Sequence, residues 1–171
     1  MRDRVAFREN DFLLRKMKGN DIWMVLQWRN AESNRHFMYN NREISEGEHR
    51  KWFSHAMEQQ DAEYFIFENR GAPIGFVSIT NINEQHARCS WAFNLSDKRD
   101  SFPKGLGAVM ELLAIEVMFQ HSSIEKICCE VLDFNVGVIR LHKRFGFKEE
   151  GVFKRHIRRN DGVFDVIPLA L

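Results

Sequence analysis

The sequence predicts one α/β domain with a mixed, mostly antiparallel sheet, one parallel βαβ pair and helices on both faces. Three features point there. Glu63–Glu68, Pro73–Asn81 and Ala87–Leu95 are short apolar and aromatic runs, parted by the turn clusters Asn69–Ala72 and Asn83–His86, which reads as an antiparallel meander. A long apolar helix from Leu106 to about His121 separates the third run from Ile124–Leu132, and a strand–helix–strand crossover implies a parallel pair. Asn160-Asp161-Gly162 joins Phe147–Ile157 to Val163–Leu169 as a closing hairpin.

The remaining elements follow in chain order. Phe12–Arg15 reads as a first strand. Gly19-Asn20-Asp21 gives a turn and a helix cap, and Ile22, Val25, Leu26 and Trp28 recur at helical spacing, so the first helix is expected over Asp21–Asn30. A second helix starts at Ser45, with Glu48 three residues on as in a capping box, and ends near Gln59–Asp61. His49, Trp52, Phe53, Ala56 and Met57 share one face of it. The helix from Leu106 is apolar around most of its girth and is expected to be buried, with Glu111 and Glu116 marking its wetter side. Ile124–Leu132 is apolar on both faces, as central strands are. Val136–Phe145 is a short amphipathic helix stopped by Gly146. The predicted order is β-α-α-β-β-β-α-β-α-β-β.

Composition narrows the function classes. The 171 residues are 44% hydrophobic and 29% charged, which suits one folded domain over residues 1–171 with a sizeable core. A formal net charge of +1 argues against bulk attraction to nucleic acid. Three cysteines make no disulfide framework, and Cys128-Cys129 lacks zinc spacing, so no metal is expected. No signal core or long apolar run is seen, so a cytoplasmic protein without membrane association is expected. There is no Gly-x-Ser-x-Gly and no Walker loop. The oligomeric state is left open, a homodimer among the options.

The stretch Ser101–Met110 carries the first chemical signal. Gly105 and Gly107 remove side chains where a ligand would approach the backbone, and Lys104 adds a cation. They stand where a helix begins, and unpaired N–H groups at a helix N-terminus attract phosphate. A plain loop-to-helix junction is the alternative on this stretch alone.

The element order resembles the GNAT N-acetyltransferases across nearly the whole chain. Members carry Gln/Arg-x-x-Gly-x-Gly/Ala before the central helix, where this chain has Phe102-Pro103-Lys104-Gly105-Leu106-Gly107: the glycines agree and Phe102 departs. The resemblance implies that Lys104, Gly105, Leu106, Gly107 and Ala108 hold the pyrophosphate of acetyl-CoA. It also implies a backbone N–H near Phe93 and Asn94 for the thioester. A second family pattern runs from Asn135 to Gly146-Phe147. It implies that Asn135 bonds the pantetheine arm. His142 stands where the family has the tyrosine that protonates the leaving thiolate. His142 takes that role as general acid, or solvent does.

The N-terminal third is similar to the PseH-type enzymes of pseudaminic acid synthesis, through Leu26–Asn30, Phe37–Tyr39 and Ile44–Phe53, and the match continues with Gly75–Ile82, Glu130-Val131 and Asp165-Val166. That resemblance implies a UDP-linked amino-dideoxy sugar as acceptor, acetylated on its 4-amino group. Trp28, Arg29, Asn30, Met38, Tyr39, His49, Trp52 and Thr80 would then bind substrate, with Arg29 forking onto phosphate. Core packing is the alternative for Trp28, Met38 and Trp52. Glu130 is the expected base at a strand end, working through water beside Ser78 or Thr80; a salt bridge to a neighbouring lysine is its alternative. Two other functions stay open: acetylation of a protein N-terminus or another small amine, and an acyl-CoA-binding sensor without catalysis.

Overall fold

The computed structural model describes residues 8–9, 11–98, 101, 104–121 and 123–171. Phe102 and Pro103 of the expected phosphate loop lie outside them. The strands are β1 (Arg8–Glu9), β2 (Phe12–Lys16), β3 (Glu63–Asn69), β4 (Ala72–Asn83), β5 (Arg88–Leu95), β6 (Lys126–Leu132), β7 (Lys148–Glu149), β8 (Phe153–Arg159) and β9 (Gly162–Ala170). The helices are α1 (Ile22–Asn30), α2 (Glu32–Arg35), α3 (Glu46–Glu58), α4 (Leu106–Phe119) and α5 (Val136–Arg144), with a short 3-10 turn at Gly19–Asp21.

The strands form one sheet in the order β1-β2-β3-β4-β5-β6-β9-β7, with β8 also on β9. The pairing is antiparallel except between β5 and β6, which are parallel. That is the expected βαβ pair, and α4 is its crossover. In β3 successive side chains separate two cores: Phe65 and Phe67 face one, Tyr64 and Ile66 the other. The first core holds Leu106, Met110, Leu113 and Val117 of α4; the second holds Val25 and Trp28 of α1 with Phe53 and Ala56 of α3. Helices therefore cover both faces.

Local signals explain most boundaries. Arg70 and Gly71 both have positive φ, 49° and 81°, as the two-residue turn between β3 and β4 requires. Ser45 and Glu48 form the expected capping box on α3. At Gly75 a Cβ would lie 3.0 Å from the Asn94 carbonyl and 3.3 Å from Met110 Sδ, so the missing side chain lets α4 settle on β4 and β5.

Three expectations need correction. The run Phe147–Ile157 is two strands, β7 and β8. Gly151, at φ 150°, turns the chain out between them, while Glu150 N–H still bonds the Pro168 carbonyl at 2.9 Å. Asp21 does not cap α1 with its side chain; its carboxylate takes Lys18 N–H at 2.8 Å and the Arg15 guanidinium at 2.7 Å. Glu111 is not on a wet side: it is fully buried. Its reason is a partner on α5, described below.

Candidate active site

The ladder between β5 and β6 runs only from Arg88↔Lys126 to Ser90↔Cys128. Beyond it β6 stays paired to β9 through Leu132 while β5 stays paired to β4 through Leu95, so the two strands part. A cavity of about 780 Å³ opens between them. Its walls are Ser90–Leu95, Cys128–Leu132, Gly107 and the inner side of α5, closed on the third side by Arg29, Asn34 and residues 37–40. Such a volume suits a small-molecule site.

One end of the cavity meets the start of α4. Gly105 precedes the helix at φ 96°, a left-handed conformation that a side chain would strain. Ala108 N–H is bonded back to the Gly105 carbonyl at 2.9 Å, so of the expected phosphate donors the Ala108 amide is already spent within the helix. The Leu106 and Gly107 amides have no backbone partner among the described residues. A Cβ on Gly107 would stand 3.2 Å from Leu141, which is how closely α5 approaches α4 here. Lys104, Gly105 and Leu106 line a neighbouring depression together with Arg70. Deeper in the cavity, Trp91 Nε1 and Asn94 Oδ1 are buried without a protein partner among the described residues. An unpaired donor and an unpaired acceptor beside an open strand edge fit a ligand arm with amide groups. Phe93 lines the same wall, and so does Asn135, which precedes α5 without making a side-chain cap bond.

The middle of the cavity holds the titratable groups. Glu130 lies within β6 rather than at its end, and it accepts a 2.6 Å hydrogen bond from Tyr39 Oη. Burial, and then the bond to Glu130, push the Tyr39 phenol above its ordinary range. His142 is 2% exposed, with its Nδ1 2.8 Å from Oε1 of Glu111, which is 0% exposed. His142 is therefore not a solvent-facing residue of α5. Its ring packs against Trp91, Phe93 and Phe147.

The third wall is held from two directions. Asn34 Nδ2 donates to the carbonyls of Trp28 and Leu95, both at 2.7 Å, fixing α2 to the end of β5. Arg159 Nη1 donates to the carbonyls of His36 at 2.9 Å and Met38 at 3.0 Å, with its guanidinium over the Phe164 ring. These bonds set Met38 and Tyr39 against the cavity. Arg29 Nη2 donates to the Asn40 carbonyl at 2.5 Å, while its buried Nη1 has no partner among the described residues. Burial, followed by the positive charges of Arg35 and Arg42, draws the Arg29 pKa down.

Six of the expected catalytic and acceptor residues are not brought to this cavity. Trp28 is 3% exposed and packs in the second core. His49 is buried, donates Nε2–H to the Ile22 carbonyl at 2.7 Å and stacks on Trp52, which itself packs on Tyr64 and Phe76. Asn30 spends its amide on Ile44, through both N–H and carbonyl. Ser78 and Thr80 stand in register with Ala92 and Ser90 across the β4–β5 ladder, and Ser78 Oγ donates to the Ala92 carbonyl at 3.3 Å. Conversely, Glu111, Asn34 and Arg159 were missed. A lone carboxylate on an otherwise apolar helix was the available signal for Glu111.

The comparisons agree with this architecture. A family model described as "Acetyltransferase (GNAT) domain" matches residues 11–148. The SPbeta prophage-derived uncharacterized N-acetyltransferase YokL of Bacillus subtilis (strain 168) is 22% identical over 118 residues; the match covers 69% of this chain and 66% of that relative, just under two thirds of its length. Spermidine N-acetyltransferase from Vibrio cholerae, in a complex with CoA and spermine, superposes with a TM-score of 0.86 at 19% identity, covering 94% of this chain and 95% of that one. A chimera of Vibrio cholerae spermidine N-acetyltransferase SpeG and hSSAT gives 0.85 at 19% identity, covering 95% of each chain. No helix among the described residues is long and apolar enough to cross a membrane. With its family model matched over most of its length and its sheet split beside a glycine-led helix, the chain is a member of the GNAT family of acetyltransferases.

Proposed function

We propose that the protein transfers acetyl from acetyl-CoA to the 4-amino group of a UDP-linked amino-dideoxy sugar. Acetyl-CoA supplies the activated acyl group. The chain's part is to seat the donor's pyrophosphate at the Leu106 and Gly107 amides and its amide arm along β5, beside Trp91, Asn94 and Asn135. The free edge of β5 past Ser90 offers N–H groups to the thioester oxygen as negative charge develops there. Glu130 takes the proton shed by the amine, directly or through water, and Tyr39 orients its carboxylate.

The observation that carries the acceptor class is Arg29. It lines the cavity with a buried Nη1, and Arg35 next to it has a buried Nε, neither with a partner among the described residues. A buried cation without a counter-charge is costly, and a diphosphate relieves it through charge-assisted bonds. A polycationic acceptor such as a polyamine would meet the opposite environment, since Glu130 is the sole carboxylate among the cavity's lining residues. Met38 and Phe37 add apolar surface for a base or a methylated sugar.

The deciding measurement is thiol release from acetyl-CoA against a panel of a UDP-4-amino sugar, spermidine and peptide N-termini. Turnover of the nucleotide sugar well above the others is expected. Turnover confined to spermidine or peptides overturns the acceptor assignment, and binding of acetyl-CoA without any turnover points to a sensor.

A further inference from the structure

Glu111 sits on α4 with no exposure, and one of its oxygens, Oε2, has no partner among the described residues. The other lies 2.8 Å from His142 Nδ1 on α5. Around the pair lie the rings of Trp91 and Phe93 on β5, the ring of Phe147, and Cys129 on β6 beside Glu111, while the Glu130 carboxylate lines the same cavity as His142. The Cys129 thiol is held protonated, its pKa raised by burial and then by the Glu111 charge. A carboxylate so enclosed is stable only if the pair as a whole is neutral. Neutrality requires one more proton than a carboxylate and a neutral imidazole hold together. A proton on Nδ1 bonded to the Glu111 carboxylate, with a second on Nε2, meets that requirement.

We infer that Glu111 is a positioning residue that keeps His142 charged and aimed, so that His142 Nε2 delivers the proton to the departing thiolate. Nε2 has no hydrogen-bond partner among the described residues, and the ring lines the cavity. The inference rests on the proposed acetyl transfer. As the amine nitrogen bonds the acetyl carbon, the carbon–sulfur bond breaks and its electron pair goes to sulfur. His142 passes the Nε2 proton to sulfur, giving free thiol and neutral imidazole. The proton shed by the amine leaves through Glu130 to solvent, and solvent recharges the pair. The carboxylate is thus the second half of a donor that a tyrosine provides alone.

The test is a double-mutant cycle on the full chain, read in kcat and in KM for acetyl-CoA, with the UDP-4-amino sugar as acceptor. Glu111→Gln keeps an acceptor for Nδ1–H and removes the charge. It is expected to lower kcat about tenfold to hundredfold, within the range general acid catalysis supplies, with KM changed less than about twofold. In a His142→Ala background the same change should add no further loss, because Glu111 acts only through His142. Should His142→Ala alone fail to fold over the stranded carboxylate, the double variant removes that charge and its kcat should be no higher than that of Glu111→Gln; a higher value overturns the inference. An equal loss from Glu111→Gln in both backgrounds, or a loss confined to KM, overturns the inference.

A second measurement works whatever the acceptor proves to be. Nitrogen NMR of labelled protein at neutral pH should show both His142 ring nitrogens protonated in the wild type and one in Glu111→Gln. A singly protonated ring in the wild type overturns the inference, even if the sugar is turned over. An inactive wild type with the doubly protonated ring removes only the substrate assignment.

Discussion

Tyr39 Oη donates a 2.6 Å hydrogen bond to Glu130, tying the segment after α2 to the middle of β6 across the cavity. Because burial and that bond hold the phenol above its ordinary range, Tyr39 stays a donor at neutral pH. Tyr39→Phe leaves Glu130 without its orienting partner. A lost hydrogen bond to a charged group is worth about 1.5–3 kcal/mol, so kcat/KM for the acceptor should fall roughly tenfold or more. KM for acetyl-CoA should not move. Glu130→Gln should cost more, about a hundredfold in kcat, because it removes the proposed base itself. If both variants keep wild-type turnover, the amine loses its proton elsewhere.

Arg29 supplies a separable prediction. Arg29→Ala removes the cation that the acceptor's phosphates are proposed to meet, and Arg29→Lys keeps charge without the planar fork. The expected order of acceptor KM is wild type, then Lys, then Ala, with Ala raised by about tenfold to hundredfold. The wild-type KM should also rise with salt more steeply than that of Arg29→Ala. An uncharged amine acceptor used by the same enzyme should show neither effect. Equal losses with charged and uncharged acceptors would make Arg29 a support for the Asn40 carbonyl only.

The donor end is tested at a backbone position. Gly105 has φ 96° with open space around it, so Gly105→Ala meets no neighbour and acts through conformation alone. The strain is about 1–2 kcal/mol. It should appear as a weaker Kd for acetyl-CoA by calorimetry, with acceptor KM little changed. Gly107→Ala differs, because its Cβ would press on Leu141 at 3.2 Å and disturb α5. That variant should affect His142 and hence kcat. A Gly105→Ala protein that binds acetyl-CoA as well as the wild type would argue that phosphate is seated elsewhere.

What the chain disclosed in advance follows from range. The capping box at Ser45 and Glu48, the turn at Arg70-Gly71 and the hairpin at Asn160–Gly162 are local signals, and the structure contains all three. The crossover by α4 followed from element order. Contacts between distant segments were another matter. Glu111 and His142 are 31 positions apart, and no periodicity says that a carboxylate on an apolar helix has an imidazole waiting for it. Arg159 holds the cavity wall from 121 positions away, through carbonyls that have no sequence identity to read. His49 and Trp52 share an amphipathic face with Phe53, and a face of that kind packs on a core as readily as on a ligand. Here the Ile22 carbonyl and the rings of Tyr64 and Phe76 take it.

Asp21 offers a test of stability. Its side chain is 6% exposed and bridges the Arg15 guanidinium and the Lys18 amide, while Arg15 also bonds Glu68. Burial alone would raise the carboxyl's pKa; the Arg15 hydrogen bond, the Lys18 N–H and the Arg15 charge outweigh it, so the folded value lies below the ordinary 3.8. A carboxyl depressed on folding binds its proton more readily in the unfolded chain. Its contribution is therefore fully present above about pH 4 and is lost as pH falls through the folded value. Asp21→Asn should cost about 1.5–3 kcal/mol at pH 7, because it removes one of the two carboxylates that bond the Arg15 guanidinium. The same substitution should cost less at pH 3, where the unfolded wild-type chain already binds the Asp21 proton. Urea midpoints for both proteins at pH 7, 5 and 3 measure this. The gap should be similar at pH 7 and 5 and narrower at pH 3; a gap independent of pH would mean that Asp21 contributes through shape rather than charge.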